Sequence, residues 1–178
     1  MSLDGKNLNP SVVGTSLKTV EFEKDRMQKE LRFLESENED TAEEIDAYEI
    51  YDMLRHINDP EHPLTLEALQ VIKPELIEVV DECITVKFTP TIPNCSMATL
   101  IGLMIRVKLH RSLPSNYKID VYIEKGKHEQ EVEVNKQLND KERVLAALEN
   151  AGLTNMVNKG LFKAERDFDK YLKELGIE

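Results

Sequence analysis

The chain has little cysteine: two residues, Cys83 and Cys95, in 178. Two thiols build no disulfide framework, so a reducing compartment is the expectation. Basic charge is also short. Lys and Arg number 23 against 34 Asp and Glu, a formal net charge of −11. That balance argues against direct nucleic-acid binding, which relies on basic surface. It leaves room for a partner that binds DNA itself. No apolar run approaches the roughly 20 residues of a membrane span, and the first residues lack the apolar centre of a signal peptide. No internal repeat is visible. What is present, 40% hydrophobic and 32% charged residues, fits a soluble domain with a real core and polar extensions.

The rest of the chain is organised around residues 88–109, Phe-Thr-Pro-Thr-Ile-Pro-Asn-Cys-Ser-Met-Ala-Thr-Leu-Ile-Gly-Leu-Met-Ile-Arg-Val-Lys-Leu. An apolar strand runs into a loop stiffened by Pro90 and Pro93, and a long apolar helix follows. Proline fixes its own φ and disfavours helix in the residue before it, so the helix cannot begin before Pro93. Asn94 is a candidate N-cap. Cys95 then falls in the first turn, where unpaired N–H groups and the helix dipole favour an anion. A thiol so placed tends toward thiolate, the form that attacks and that binds metal. The plainer reading is a small hydrophobe in a tight corner. Position alone leaves both open.

Residues 1–15 have little periodicity and read as disordered. A weak helical pattern of Val20, Met27, Leu31 and Leu34 follows, then a solvated acidic linker over Glu35–Asp40. Thr41-Ala-Glu-Glu44 has the form of a capping box. Ile45, Tyr48, Tyr51, Leu54 and Ile57 then recur at helical spacing up to about Asn58. Asp59-Pro-Glu-His-Pro63 is a stiff polar turn. Such loops carry function on many scaffolds, although an ordinary helix stop has the same composition. Leu69–Ile72, Leu76–Val80 and Ile84–Phe88 read as strands, the last two joined by a hairpin at Asp81-Glu82. Ile84, Val86 and Phe88 share one face, and Cys83 lies on the other with Thr85 and Lys87.

In the long helix, Met97, Leu100, Ile101, Met104 and Val107 nearly encircle the first turns, which marks a buried helix. Gly102 is expected to permit close packing, and Arg106, Lys108, His110 and Arg111 to form a basic end suited to the dipole. After a turn at Leu113–Asn116, Tyr117 to Glu124 alternate as a half-buried strand, completing a βαβ candidate. Ligands of such units favour the carboxyl ends of the strands, where the Thr89–Cys95 loop lies. His128 sits in a charged loop and is expected at the surface. Val134–Asn150 holds a helix with Asp140 capping its main part and Val144, Leu145 and Leu148 facing inward. Gly152 is its expected stop. Thr154–Leu175 forms a last amphipathic helix, its stripe running through Val157, Leu161, Phe168, Tyr171, Leu172 and Leu175. The fold expected is α+β, with α/β-like character. A small mixed β-sheet with a βαβ unit is packed by helices and flanked by N- and C-terminal helical extensions. The domain plan is an acidic extension over 1–40, a core domain over 41–152 and a helix over 153–178.

Three blocks carry a likeness to known proteins: residues 88–103, the run Ile-Asn-Asp-Pro-Glu-His-Pro-Leu-Thr-Leu-Glu over 57–67, and Val-Asn-Lys-Gln-Leu-Asn-Asp-Lys-Glu-Arg-Val over 134–144. In this order they closely resemble the cytosolic iron–sulfur assembly component 2 family, the MIP18 type, within the wider domain of unknown function 59. The resemblance implies a non-catalytic maturation factor. It would join a WD40 β-propeller protein and a HEAT-repeat adaptor in a targeting complex. That complex delivers iron–sulfur clusters to cytosolic and nuclear apoproteins, including DNA-replication and repair enzymes, and so bears on chromosome segregation. The implied location is the cytoplasm, with the nucleus as a second site; a homodimer is left open.

The resemblance also implies site residues. Cys95 is the functional thiol and a transient metal ligand, with no cofactor permanently bound. Asp59 and Glu61 lie beside it, Thr89 and Thr91 complete a polar shell, and His62 is a secondary candidate. Iron–sulfur clusters are usually held by four thiolates, so one cysteine needs a second chain or a passing cluster, which favours transfer over storage. Relatives carry His where this chain has Asn94, which puts in doubt any mechanism needing an imidazole there. Two other readings remain: a structural adaptor in which Cys95 is incidental, and an enzyme with Cys95 as nucleophile. The enzyme needs a base, and of His56, His62, His110 and His128 only His62 suits.

Overall fold

Asp46 opens the helix that leads into the core. The computed structural model describes Lys24, Gln28, residues 45–92 and residues 97–174, the last of these by backbone alone from 163 on. The Thr41–Glu44 capping box, the 1–40 extension (Lys24 and Gln28 apart), Asn94 and Cys95 therefore lie outside the described residues. The backbone of Asp46 is extended, and its carboxylate accepts the N–H groups of Tyr48 and Glu49 at 2.9 and 3.1 Å. Helix α1 (Ala47–Arg55) starts there, later than the sequence pattern suggested, because a carboxylate at this position satisfies two orphan donors and suits the dipole. Ile50, Tyr51 and Leu54 are its buried face.

The segment after α1 corrects one expectation. Leu69–Ile72 is not a strand. Leu69 and Gln70 donate to the carbonyls of Thr65 and Glu67, Gln70 adopts a positive φ of 55°, and Val71 donates back to Leu66. Leu66, Leu69, Val71 and Ile72 are nonetheless buried. A short apolar run reports burial, not backbone shape, and this one reaches the core as a coiled turn.

A single 3₁₀ turn, Pro74–Leu76, leads into β1 (Ile77–Val80). The two-residue turn at Asp81-Glu82, with Asp81 at φ 52°, returns the chain as β2 (Cys83–Phe88). Helix α2 (Met97–Ser112) crosses over to β3 (Lys118–Ile123). The sheet order is β1-β2-β3, the first pair antiparallel and the second parallel with Ile84 opposite Ile119 and Phe88 opposite Ile123. Ile77, Ile84, Val86, Phe88, Ile119, Val121 and Ile123 form the buried face. Cys83, Thr85 and Lys87 lie on the other side as alternation requires.

Helix α2 is the centre of the core, buried from Ala98 through Leu109 at nearly every position. Its Gly102 admits Leu138 of α3 (Glu131–Asn139), where an added Cβ would lie 2.3 Å from a Leu138 methyl. Arg106 is not part of a solvated basic end. It is 4% exposed, and its guanidinium donates to the Leu138 carbonyl at 2.7 Å and to Asn139 Oδ1 at 3.1 Å. A long cation on a buried helix persists only with such partners, and the C-terminal carbonyls of α3 supply them.

Helix α3 also closes the sheet. Strand β3 is an edge, and its outward N–H groups need partners. Asn135 and Asn139, one helical turn apart, accept from Ile123 N–H and Val121 N–H at 2.7 and 2.9 Å; Asn139 also donates to the Val121 carbonyl at 2.8 Å. Two side-chain amides thus stand in for a fourth strand.

Asp140 caps α4 (Lys141–Glu149), accepting from Glu142 and Arg143 N–H. Val144 points inward but Leu145 is 64% exposed, against expectation. Gly152 is not a stop: Asn150 caps α5 (Ala151–Glu174) through the Gly152 and Leu153 N–H groups, so Gly152 lies in its first turn. Val157 and Leu161 of α5 are buried, and Gly160 lies against Met104 of α2 and the Asn58 carbonyl. Five helices and a three-stranded mixed sheet among the described residues make the fold α+β, as the sequence indicates. Among those residues no helix is long and apolar enough to cross a membrane.

Candidate functional site

Asp59 is 6% exposed and shapes the polar loop after α1. Its Oδ1 accepts the N–H groups of Glu61 and His62, both at 2.8 Å, an Asx turn that holds the Pro60–Pro63 segment in a tight arc. Its own N–H donates to the Leu64 carbonyl. One oxygen of Asp59 is therefore committed to building the loop. Glu61 is exposed. The Nε2 of His62 is buried and has no hydrogen-bond partner.

Thr89 follows β2 directly. Its N–H donates to the Val71 carbonyl at 2.8 Å, and its hydroxyl donates to Glu124 Oε2 at 2.5 Å. Glu124 follows β3 directly, and its N–H donates to the Phe88 carbonyl at 2.8 Å. Thr89 and Glu124 thus extend the parallel register one step past its last pair and meet at the carboxyl ends of both strands. Ligands of α/β units gather at that end. Thr91 is half-buried in the bend that follows.

The two loops are tied to one another through backbone. Leu66 N–H donates to the Ile57 carbonyl, Val71 N–H to the Leu66 carbonyl, and Thr89 N–H to the Val71 carbonyl. Three consecutive bonds link the start of the Asp59 loop to Thr89. The Leu69–Ile72 turn, misread as a strand, is the bridge. Among the described residues no three His, Cys, Asp or Glu side chains converge to hold a metal ion, so Asp59, Glu61 and His62 do not do so by themselves. An apolar cleft of about 280 Å³ lies elsewhere, between α2, α3 and α4, lined by Thr99, Leu103, Leu138, Val144 and Ala147 among others. None of the expected site residues among those described lines it.

Two site features escaped the sequence reading. Glu124 looked like one outward residue of an alternating strand; its meeting with Thr89 needs the parallel register, which no short-range pattern encodes. His128, expected at the surface, is 8% exposed, and its Nδ1 accepts the Gln130 N–H at 3.1 Å. That bond fixes its turn before α3, a local signal no different in sequence from a solvated loop.

Comparison with known proteins shows the family. Residues 48–121 match the family described as iron-sulfur cluster assembly protein. The MIP18 family protein galla-2 of Drosophila melanogaster is 48% identical over 161 residues, covering 89% of this chain and 96% of its own. The chain belongs to the MIP18 family. A MIP18 family protein of Schizosaccharomyces pombe is 51% identical over 172 residues, again covering 89% of this chain and 96% of its own. The cytosolic iron-sulfur assembly component 2B of Mus musculus is 59% identical over 127 residues, covering 70% of this chain and 78% of its own. The 48–121 match spans α1, the Asp59 loop, the hairpin, α2 and most of β3. Both polar loops of this MIP18 chain, Asp59–Pro63 and the residues from Thr89, lie within the matched range.

Proposed function

We propose that this protein is a cytosolic iron–sulfur assembly component that passes clusters to apoproteins as cargo, with Cys95 as the thiol that meets the cluster. The reading is carried by the likeness to relatives named cytosolic iron-sulfur assembly component 2B. It is supported by the backbone ladder that ties the Asp59 loop to Thr89, six residues ahead of Cys95 in the sequence. On this reading Asp59, Glu61, Thr89 and Thr91 form the polar shell of the thiol, and His62 lends its unpartnered Nε2. A thiolate is a soft ligand suited to iron–sulfur cargo. A single thiolate holds a cluster weakly, so release is built into the chemistry and no permanent cofactor is required. The partners are a WD40 β-propeller protein and a HEAT-repeat adaptor. The domain plan is a core over 41–152 with extensions on either side, and the protein works in the cytoplasm and nucleus without catalysing a reaction of its own.

The test is anaerobic affinity purification of the full chain, with mass spectrometry of bound proteins and assay of iron and sulfide. The expected result is co-purification of the propeller and repeat partners with both the native chain and Cys95→Ala, and cluster delivery with the native chain alone. Delivery unchanged in Cys95→Ala supports the adaptor reading instead.

A further inference from the structure

We propose that the free edge of β1 takes up an extended basic segment of a partner protein, which adds to the sheet as a further strand. The proposal stands apart from the reading of Cys95 and from the polar loops.

The two edges of the sheet are treated differently. Asn135 and Asn139 close the β3 edge. Which groups of β1 face outward follows from the bonds on the far side of β2. Lys118 N–H donates to the Glu82 carbonyl and Glu124 N–H to the Phe88 carbonyl. The even-numbered residues of that strand therefore serve β3, and Cys83 and Thr85 serve β1. Their register partners, Val80 and Glu78, turn their backbone groups inward to β2. Val79 turns its N–H and C=O outward, and Ile77 its C=O. The Ile77 N–H is taken by the Pro74 carbonyl. Among the described residues no hydrogen bond reaches the outward pair of Val79.

The side chains around this edge choose the occupant. Glu75, Glu78, Asp81 and Glu82 are all exposed. None of the described ion pairs uses Glu78 or Asp81. Cations flank only the start of the strand: Lys73 precedes it, and Lys87 is one residue past Val86, the partner of Ile77. Lys118, two strands in, is held by Asp120 at 2.8 Å. A strand laid beside β1 alternates like any other. Its residues next to Glu78 and Val80 share their outer face. Those next to Ile77 and Val79 share the core side, where Ile77 is buried and Val79 half-buried against the core. The segment that fits is apolar at every second position and basic between. A second copy of β1 fits worse, because pairing sets the acidic side chains of both copies against each other. The formal net charge of −11 also favours a basic partner over a second copy. Main-chain bonds at such an edge supply affinity, and the alternating side chains supply selectivity.

The test uses the full chain and a synthetic peptide of about seven residues in which Lys and Val alternate. The controls are the same peptide methylated at every backbone nitrogen and a peptide with Glu in place of Lys. Fluorescence anisotropy reads binding, and hydrogen exchange followed by NMR reads each backbone amide. The Lys–Val peptide is expected to bind, to weaken as salt rises to about 0.5 M, and to slow exchange of the Val79 amide. Each control should bind about tenfold more weakly or worse, the scale of one or two lost main-chain bonds. Glu78→Lys, at an exposed position, should weaken the Lys–Val peptide severalfold and leave the melting temperature unchanged. Equal binding of either control, or slowed exchange elsewhere with none at Val79, would overturn the proposal. So would a Val79 amide already slow without peptide. Protection that grows with protein concentration would mark a second copy on the edge, and protection at every concentration would mark the chain itself.

Discussion

At the scale of single residues, the structure assigns fixed duties to side chains whose sequence context suggested surface. Arg106 is the strongest case. Burial lowers its pKa from the usual guanidinium value, an effect opposed by the nearby Asp120 and Tyr122. Its bonds to Leu138 and Asn139 compensate the desolvation. Arg106→Ala leaves a buried carbonyl unpaired and a gap on α2, so a loss of about 2–4 kcal/mol is expected in urea unfolding. Arg106→Lys should recover only part of it, since an ammonium cannot reproduce the forked geometry. His110 gives a pH signature. His110 is exposed at the end of α2, and partial desolvation of its ring first, then Arg106 and Lys141, hold its pKa below the ordinary imidazole value. The folded state therefore binds its proton less readily than the unfolded chain. The stability from this group is small, because solvent screens an exposed ring; it is complete above about pH 6.5 and falls as pH drops below that value toward the lowered folded pKa. His110→Gln should flatten the stability curve in that window, read by thermal melts between about pH 7 and pH 5. Cys83 is exposed, on the side of β2 away from the core.

At the scale of elements, two glycines make a controlled comparison. A Cβ at Gly102 would meet three atoms of Leu138, a branched side chain with no exposed surface, at 2.3, 2.8 and 3.1 Å. A Cβ at Gly160 would meet the sulfur of Met104 at 2.6 Å, and methionine can re-route its chain. Gly102→Ala should cost about 1–3 kcal/mol despite its better helix propensity, and Gly160→Ala distinctly less. Chemical denaturation of both, in one buffer, checks the order. The amide pair on β3 predicts a third outcome. Asn139→Ala removes the partner of both Val121 backbone groups, and slowed-exchange protection of the Val121 amide should be lost first.

Element identity was largely legible in the sequence, because periodicity reports which face is buried. The hairpin, α2, the alternating β3, the role of Gly102 and the Asp140 cap followed from that pattern and from local capping chemistry. Asp46 does not stand out in the sequence because Thr41–Glu44, just before it, already has the form of a complete capping box. Leu69–Ile72 and Leu145 were misread because hydrophobicity alone does not say which way a residue faces. The Thr89–Glu124 contact and the Arg106 network join residues about thirty apart in sequence and depend on tertiary register. No window-based reading contains them.

At the scale of the whole molecule, the sheet and α2 form a rigid base on which two polar loops are fastened together. Among the described residues α1, α2 and α3 pack against the sheet, and α4 and α5 pack against those helices. Such a base changes little when a surface loop is altered, so stability and function should separate cleanly at the site. Asp59→Ala is the exception to watch. It removes the acceptor of two backbone N–H groups in a nearly buried turn, so about 1–3 kcal/mol of stability should go with it. The central claim is that the chain carries cluster cargo on the Cys95 sulfur while the fold merely presents it. The most direct measurement is transfer of a reconstituted iron–sulfur cluster to an apoprotein, native chain against Cys95→Ala, both anaerobic and both with their partners bound. The account predicts equal partner binding, equal melting behaviour and transfer lost in the variant. Transfer at the native rate by Cys95→Ala would contradict it.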